Sequence, residues 1–369
     1  MKGLVRLCVV GSVACMFAAC SSDGGEVPAA DSGTTASDAA NEDPESDTSS
    51  MERGDGASDV EAAGPEADVV GSDTTAQDPS APDTEADPVD PTWPEPTYGL
   101  STQSLMHDGL TREYLLYVPE SYTGQVSVPV VLNFHGGGMS ASAMMEWTSD
   151  MRQLSEEEGF ILAYPEGSPL DSGELHWNPI PSSADSKSEA DDFGFVTAML
   201  DMLAEAHHID ADRVYATGYS NGAGMAYGLL CYLSDRIAAA APVSGSMYFE
   251  MSEGCQATQP KAVAVFNGTE DQARPYEGMP PWFLPVEDAV DFWVSHNGLT
   301  AEAAIESFDT NGLTVERRLF SAEQGSSAVA LFKVIGGGHD WFGINIEGAD
   351  LDRLIWDFLS AHNSDGVID

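Results

Sequence analysis

Basic residues are scarce in this sequence of 369 residues, which has 14 lysines and arginines against 61 aspartates and glutamates. The formal net charge of −47 argues against a nucleic-acid-binding protein, because such proteins need a basic surface for the phosphate backbone. The same charge disfavours polyanionic substrates. Net charge does not specify a fold, so the fold must be predicted from the pattern of apolar residues.

Metal-binding motifs are missing, and cysteine is rare. The sequence has no CxxC or HExxH spacing, so we predict no metal site and no cofactor. Of the five cysteines, Cys8, Cys15 and Cys20 lie near the N-terminus, which leaves Cys231 and Cys255 as an even pair. In an exported protein such a pair favours a disulfide, worth roughly 3 kcal/mol through loop closure; two buried free thiols are the alternative.

A long membrane-spanning run is also missing from the N-terminus. The apolar run in residues 1–20 follows Lys2 and Arg6 and is too short to span a bilayer comfortably, so it predicts a secretory signal. Small residues before Cys20 resemble a bacterial lipobox, in which this cysteine is lipidated. We expect an exported bacterial lipoprotein anchored in a membrane, or a secreted protein; an ordinary cleaved signal or a buried helix are the alternatives.

The next segment has too few apolar residues to form a core. Residues 21–100 contain 21 acidic residues and one basic residue, Arg53. Low hydrophobicity combined with high net charge predicts disorder, so we expect an acidic tether. Residues 101–369 are long enough for one large α/β domain.

Short apolar runs alternate with helical patterns in this predicted domain, and no internal repeat is visible. Strands are predicted at residues 113–118, 128–134, 160–165, 213–220, 238–245, 262–271, 313–320 and 328–339, and helices at 191–209, 222–234 and 349–361. This alternation predicts a mostly parallel sheet flanked by helices. Functional sites in such sheets form at the carboxyl ends of the strands.

The stretch GYSNG places Ser220 between Gly218 and Gly222, where a predicted strand runs into a helix. A sharp turn there would lift the serine oxygen clear of the sheet, and glycines allow the close backbone approach that it needs. Ser220 is therefore the predicted nucleophile. A serine hydroxyl needs a base to take its proton. Of eight histidines, His339 is the best candidate, because it alone follows a buried strand on a glycine-rich loop.

The base in turn needs an acid, and Asp271 follows the strand at 262–271, although spacing does not exclude Glu270. The order Ser220, Asp271, His339 is that of α/β-hydrolases. Acyl transfer also needs hydrogen-bond donors for an oxyanion. We assign these to the amide of Asn221 and to the loop after HGGG. The predicted loop donors are Gly137, Gly138 and Met139, while His135 is expected to brace the loop.

From about residue 110 to 361 the chain resembles the family of polyhydroxybutyrate depolymerases and feruloyl or acetylxylan esterases, which are secreted ester hydrolases. The resemblance is carried by the stretches YLLYVP, FHGGG, FILAYPEG, HWNP, DDFGF, RVYATGYSNGAGMAYGLLC, FNGTEDQARPY and GGGHDWFG. It implies the α/β-hydrolase fold and selects Asp271 over Glu270 as the acid.

The same resemblance implies a bond between Cys231 and Cys255. It also places Trp177, Asn178 and Trp341 beside the substrate pocket, with packing in the core as the alternative for these three residues.

Together these features predict a serine carboxylic ester hydrolase that forms an acyl-enzyme. Its substrates would be polymer-linked esters, either feruloyl or acetyl esters of polysaccharides or polyhydroxybutyrate. A serine peptidase or a lipase is an alternative on the same fold, and Trp282, Phe283 and Leu284 could then form a partial lid. A non-catalytic lipoprotein that binds a glycan or a protein partner is another. We expect a monomer that contacts the membrane only through the lipid on Cys20.

Overall fold

The structure is a computed structural model that describes residues 93–299, 303–321 and 328–368. The predicted signal, the lipidation site Cys20 and the predicted tether up to residue 92 lie outside the described residues. The first strand begins at Gly99, two residues before the predicted start of the domain. Within the described part of the chain, every helix is too short or too polar to traverse a bilayer.

Sixteen strands and seven α-helices make up the described part of the chain. The strands are β1 (Gly99–His107), β2 (Leu110–Val118), β3 (Val128–Phe134), β4 (Ile161–Pro165), β5 (Ser168–Pro169), β6 (Leu175–His176), β7 (Ile209–Tyr219), β8 (Ala239–Val243), β9 (Ala262–Gly268), β10 (Ala304–Thr310), β11 (Leu313–Phe320), β12 (Val329–Ile335), β13 (Asn345–Ile346), β14 (Ala349–Asp350), β15 (His362–Asn363) and β16 (Gly366–Val367). The helices are α1 (Ala141–Ala143), α2 (Arg152–Glu158), α3 (Asp192–Ala206), α4 (Asn221–Tyr232), α5 (Phe249–Gly254), α6 (Val286–His296) and α7 (Leu351–Ser360), with a π-helical turn at Met144–Thr148.

Ten strands form one sheet in the order β1-β2-β4-β3-β7-β8-β9-β12-β11-β10. The strands from β4 to β12 in this order pair in parallel, and β1, β2, β10 and β11 extend the sheet with antiparallel pairs. The predicted mostly parallel sheet is therefore confirmed at its centre.

Helices cover both faces of the sheet, which explains why the central strands are mostly apolar. In β3, Val130 and Leu132 point into a core formed with α3, α4 and α6. The intervening Val131 points into a second core, formed with α2 and α7. Both sets of side chains are fully buried because successive residues of a strand face opposite sides of the sheet.

Local signals fix the ends of the long helices. The Asp191 carboxylate accepts a hydrogen bond from the amide of Gly194 at 2.9 Å and caps α3. Asp350 accepts from the amide of Arg353 at 3.0 Å and caps α7 in the same way.

Cys231 and Cys255 form a disulfide, with their Cα atoms 4.6 Å apart, so the predicted bond is confirmed. The bond joins α4 to the residue that follows α5. It therefore ties the helix that follows Ser220 to the end of α5.

Candidate active site

Ser220 occupies a strained turn between β7 and α4, with φ = 55° and ψ = −110°. Two glycines make the turn possible. A Cβ added to Gly218 would lie 2.7 Å from the carbonyl oxygen of Phe134, and one added to Gly222 would lie 2.2 Å from the same oxygen. The end of β3 therefore presses against both sides of the turn, and only glycine fits at these positions.

Ser220, His339 and Asp271 form a hydrogen-bonded chain at the carboxyl ends of three parallel strands. The Ser220 Oγ lies 2.9 Å from His339 Nε2, and His339 Nδ1 lies 2.8 Å from Asp271 Oδ2. The second oxygen of Asp271 accepts hydrogen bonds from the amides of Ala273 and Arg274 at 2.8 and 2.7 Å. The carboxylate is buried and fixed in orientation, which in turn fixes the imidazole.

The loops after β9 and β12 bring the acid to the base. A Cβ on Gly268 would lie 2.2 Å from the carbonyl oxygen of Gly337, and the amide of Glu270 donates to this oxygen at 2.8 Å. This close pairing directs Asp271 inward, whereas Glu270 is exposed to solvent. The structure thus brings Asp271, and not Glu270, into contact with His339.

The loop after β3 lies directly against the serine. A Cβ on Gly136 would be 3.5 Å from the Cβ of Ser220, and one on Gly137 would be 3.6 Å from the Cβ of Asn221. The backbone of this loop and the start of α4 therefore surround the space in front of the serine oxygen.

Two of the four amides predicted to bind an oxyanion are already occupied. The amide of Gly138 donates to the carbonyl of Leu175 at 2.8 Å, and the amide of Met139 donates to Gly136 at 3.1 Å. The prediction that the amides of Gly138 and Met139 donate to an oxyanion is thus wrong, because these amides form hydrogen bonds that hold the loop itself. Among the described residues, no acceptor faces the amides of Gly137 and Asn221.

His135 braces the loop from below. Its ring is fully buried, and Nε2 accepts a hydrogen bond from the amide of Gly167 at 2.9 Å. Nδ1 lies 2.8 Å from the carbonyl of Gly136. Burial lowers the pKa of His135 to about 4, so the ring is neutral at pH 7 and one nitrogen remains an acceptor.

The Trp177 ring lies in the core and not in the pocket, so its predicted pocket role is wrong for the side chain. The indole packs edge-on against Phe134 at 5.2 Å and donates to the carbonyl of His135 at 3.0 Å. The backbone of Trp177 still serves the site. Its amide and carbonyl bind the side-chain amide of Asn221 at 2.8 and 3.1 Å, which holds the residue after the serine in place.

The other two predicted pocket residues differ in where they lie. Asn178 is nearly buried at the pocket wall, and its side-chain amide donates to the carbonyls of Ser188 and Ala190 at 3.0 Å. It thereby holds the following loop. Trp341 does not line the pocket, because its indole donates to Asp352 at 3.0 Å and packs beside the core formed with α7.

An open pocket of about 460 Å³ lies beside the candidate site. Its lining includes His176, Lys187, Tyr248, Arg274 and Trp282. Lys187, Tyr248 and Arg274 were not predicted from the sequence as pocket residues, and Trp282 was considered only for a partial lid. These residues come from separate parts of the chain, so no single motif indicates all of them. Among the described residues, no cluster of three histidine, cysteine or acidic side chains could bind a metal ion.

The pocket reaches the candidate site at two points. His176 Nδ1 lies 4.0 Å from where a Cβ of Gly137 would be, and the amide of Arg274 binds Asp271. Burial, with smaller effects of Lys187 and Arg274, lowers the pKa of His176 to about 4. The neutral imidazole of His176 therefore lies between the pocket and the amide of Gly137.

The parallel sheet, the strained serine turn and the Ser-His-Asp chain define an α/β-hydrolase-fold protein. The family model described as esterase PHB depolymerase matches residues 112–293. This match, together with the similarity to the relatives described below, confirms the resemblance to polyhydroxybutyrate depolymerases and feruloyl esterases seen in the sequence.

Individual relatives agree with this assignment. The chain is 28% identical to feruloyl esterase B of Piromyces equi over 258 residues, which cover 67% of this chain and 45% of that protein. It thus spans less than half of that relative. It is 29% identical to the putative esterase NocK of Nocardia uniformis subsp. tsuyamanensis over 254 residues, 64% of this chain and 72% of NocK.

A solved structure confirms the fold. The acetyl xylan esterase from Aspergillus awamori superposes with a TM-score of 0.54 at 16% identity, covering 70% of this chain and 99% of that one.

Proposed function

We propose that the protein is a serine carboxylic ester hydrolase that works through an acyl-enzyme. The observation that carries this proposal is the continuous chain from Ser220 Oγ through His339, with links of 2.9 and 2.8 Å, to the buried Asp271. The names of the relatives, feruloyl esterase B and putative esterase NocK, support ester hydrolysis as the reaction.

In the first half of the reaction, Ser220 Oγ attacks the ester carbonyl carbon while His339 Nε2 takes the hydroxyl proton. Asp271 binds Nδ1–H, so the imidazole presents Nε2 as the acceptor, and the carboxylate stabilises the imidazolium that forms. The carbonyl electrons move onto oxygen, and the amides of Gly137 and Asn221 donate hydrogen bonds to this oxyanion. The bond to the alcohol then breaks, and His339 gives its proton to the leaving oxygen.

In the second half, a water molecule attacks the acyl carbon, and His339 takes one of its protons. The tetrahedral intermediate uses the same two amides. When it collapses, the bond to Ser220 Oγ breaks and His339 returns the proton to this oxygen. The products are one carboxylic acid and one alcohol for each ester and water consumed.

We further propose polymer-linked esters as substrates, namely feruloyl or acetyl esters of polysaccharides or polyhydroxybutyrate. Support comes from the open pocket, whose wall includes Tyr248 and the half-exposed Trp282, and from the names of the relatives. A lipase lid is less well supported. Phe283 and Leu284 are buried, and the amide of Leu284 donates to Met247 at 2.9 Å, so this segment is attached to the core.

Hydrolysis of p-nitrophenyl acetate and butyrate by the full chain tests the reaction. Ser220→Ala removes the attacking oxygen and is expected to abolish turnover, leaving the rate of the buffer. Ser295→Ala, on the exposed side of α6, is the matched control and should keep the wild-type rate. A folded wild-type protein without turnover would overturn the proposal and favour the non-catalytic binding lipoprotein.

We also propose that the protein is an exported, monomeric lipoprotein tethered through Cys20. The disulfide between Cys231 and Cys255 supports an oxidising compartment. Labelling with a fatty acid in a bacterial host should modify the wild-type chain and the Cys15→Ala control. Cys20→Ala should remain unlabelled, and equal labelling of this variant would refute the assignment.

A further inference from the structure

Two cations in the pocket lack a carboxylate partner, although acidic residues far outnumber basic ones in this chain. Among the described residues, seven lysine and arginine side chains lie within 4.0 Å of a carboxylate: Arg112, Arg152, Arg236, Arg317, Arg318, Lys333 and Arg353. No such pair is found there for Lys187, Arg213, Lys261 or Arg274, and of these four Lys187 and Arg274 line the pocket. In so acidic a protein, two unpaired cations on one pocket are an arrangement that an external anion could complete.

Arg274 is fixed beside the candidate triad. Its amide donates to Asp271 at 2.7 Å, and its guanidinium lies over the ring of Phe283, 4.4 Å from the centroid. These contacts position the guanidinium without neutralising it. Lys187 lies on the loop that follows Asn178 and is exposed to solvent, so its ammonium is available to a ligand.

The two cations act on the part of the pocket that adjoins the serine. Both lower the pKa of His176, and no carboxylate contributes to this shift. His176 in turn lies beside Gly137. Two acids, Asp185 and Glu250, also line the pocket, but neither pairs with Lys187 or Arg274, and Glu250 accepts a hydrogen bond from Ser183 at 2.6 Å.

We propose that Lys187 and Arg274 bind a carboxylate carried by the ester substrate, close to the bond that is cleaved. This inference rests on the proposed esterase function and specifies its substrate class as esters with one free carboxylate. A single carboxylate fits two cations, whereas the net charge of the whole chain opposes a polyanion. Lys187 and Arg274 would act as specificity determinants, while the chemistry stays with the serine.

The test compares esters that differ only in charge. On the acyl side, the p-nitrophenyl monoester of glutaric acid is compared with the ester in which a carboxamide replaces the free carboxylate. On the alcohol side, 4-acetoxybenzoate is compared with 4-acetoxybenzamide. We expect the carboxylate to have the higher kcat/KM by about tenfold in at least one pair at low salt, because hydrogen bonds to charged groups are the stronger ones. The preference should shrink as ionic strength rises.

Variants assign this preference to the two cations. Lys187→Gln and Arg274→Gln should each lower the ratio of kcat/KM between the charged and neutral esters by about tenfold. Lys187→Arg keeps the positive charge and should keep the wild-type ratio. Arg236→Gln makes the same change in net charge on the pair formed with Asp201, away from the pocket lining, and should leave the ratio unchanged.

The outcomes separate this inference from the function on which it rests. Turnover of the neutral esters without any preference for the carboxylate, or a preference that survives both Gln substitutions, would overturn the inference while the esterase function stands. Absence of turnover with all four esters would overturn the proposed function and, with it, this inference.

Discussion

The centre of the sheet and its two edges differ in what they contribute to the molecule. The central strands β7, β9 and β12 have a neighbour on each side and are followed by the three residues of the candidate triad. The edge strand β1 is half-exposed and the edge strand β10 is largely exposed, and β10 carries a cross-strand ion pair with β11. The candidate catalytic side chains are therefore held by strands that have a neighbouring strand on each side. Substitutions there should have the largest effects.

The largest effect is expected for the buried carboxylate at the end of β9. Asp271→Asn should lower kcat on the order of 10⁴-fold, because the amide no longer fixes the imidazole tautomer or stabilises the imidazolium. Glu270→Gln is the neighbouring control and should retain nearly all activity, since this side chain is exposed. Steady-state hydrolysis of a p-nitrophenyl ester measures both, and equal losses would show that the acid is wrongly assigned.

The next largest effect should come from the turn at Ser220. Gly222→Ala places a Cβ 2.2 Å from the carbonyl of Phe134, so the backbone must move, and we expect a loss of about 2–3 kcal/mol in stability along with most of the activity. Gly343→Ala meets no atom within 4 Å and should change stability by less than about 0.5 kcal/mol. Urea denaturation compares the two; similar stabilities would contradict the confinement of the turn.

A smaller effect is expected for Asp352, a partly buried acid on α7. Burial raises the pKa of Asp352 to about 6, so between about pH 4 and 6 the folded state keeps a proton that the unfolded state has lost. The contribution of this carboxyl to stability is therefore present at low pH and falls as the pH rises through this window.

Asp352→Asn should remove this pH dependence, because an amide does not ionise in this pH range. The amide oxygen can still accept hydrogen bonds from Ser149 and Trp341. The variant should be more stable than wild type by about 1–3 kcal/mol at pH 7 and nearly equal to it at pH 4. Thermal melts across this range measure the difference. A variant that is less stable at pH 7 would show that the ionised carboxylate stabilises the fold.

The smallest effect should come from the sheet edge. Arg317 on β11 lies directly opposite Glu306 on β10, and both side chains are partly exposed to solvent. Arg317→Gln should therefore change the free energy of unfolding by less than about 1 kcal/mol. A loss as large as that of Gly222→Ala would remove the contrast between centre and edge.

The same contrast explains which elements could be predicted from the sequence. The run VPVVLNF is apolar except for Asn133 because both faces are buried, and its predicted bounds match β3. Along β1, half-buried residues alternate with exposed ones, and β10 is largely exposed, so neither strand was predicted. Helix α6 had an available signal, since Val286, Val290 and Trp293 recur at helical spacing and are buried.

The candidate site could be predicted where it depends on local motifs and not where it depends on long-range contacts. Glycines around Ser220 mark the turn in the sequence itself. By contrast, the amide of Gly138 is occupied by Leu175, and the Trp177 ring is placed by Phe134, contacts that no local pattern indicates. Lys187 and Arg274 are also far apart in the chain, and only the folded loops bring both to one pocket.

Covalent trapping of the serine tests the central claim most directly. A fluorophosphonate should add once to the wild-type protein, with loss of fluoride, and peptide mass spectrometry should place the adduct on Ser220. His339→Ala should react far more slowly, because the histidine no longer takes the serine proton, and Ser220→Ala should not react. A folded wild-type protein that stays unmodified, or an adduct on another residue, would contradict the assignment of Ser220 as the nucleophile.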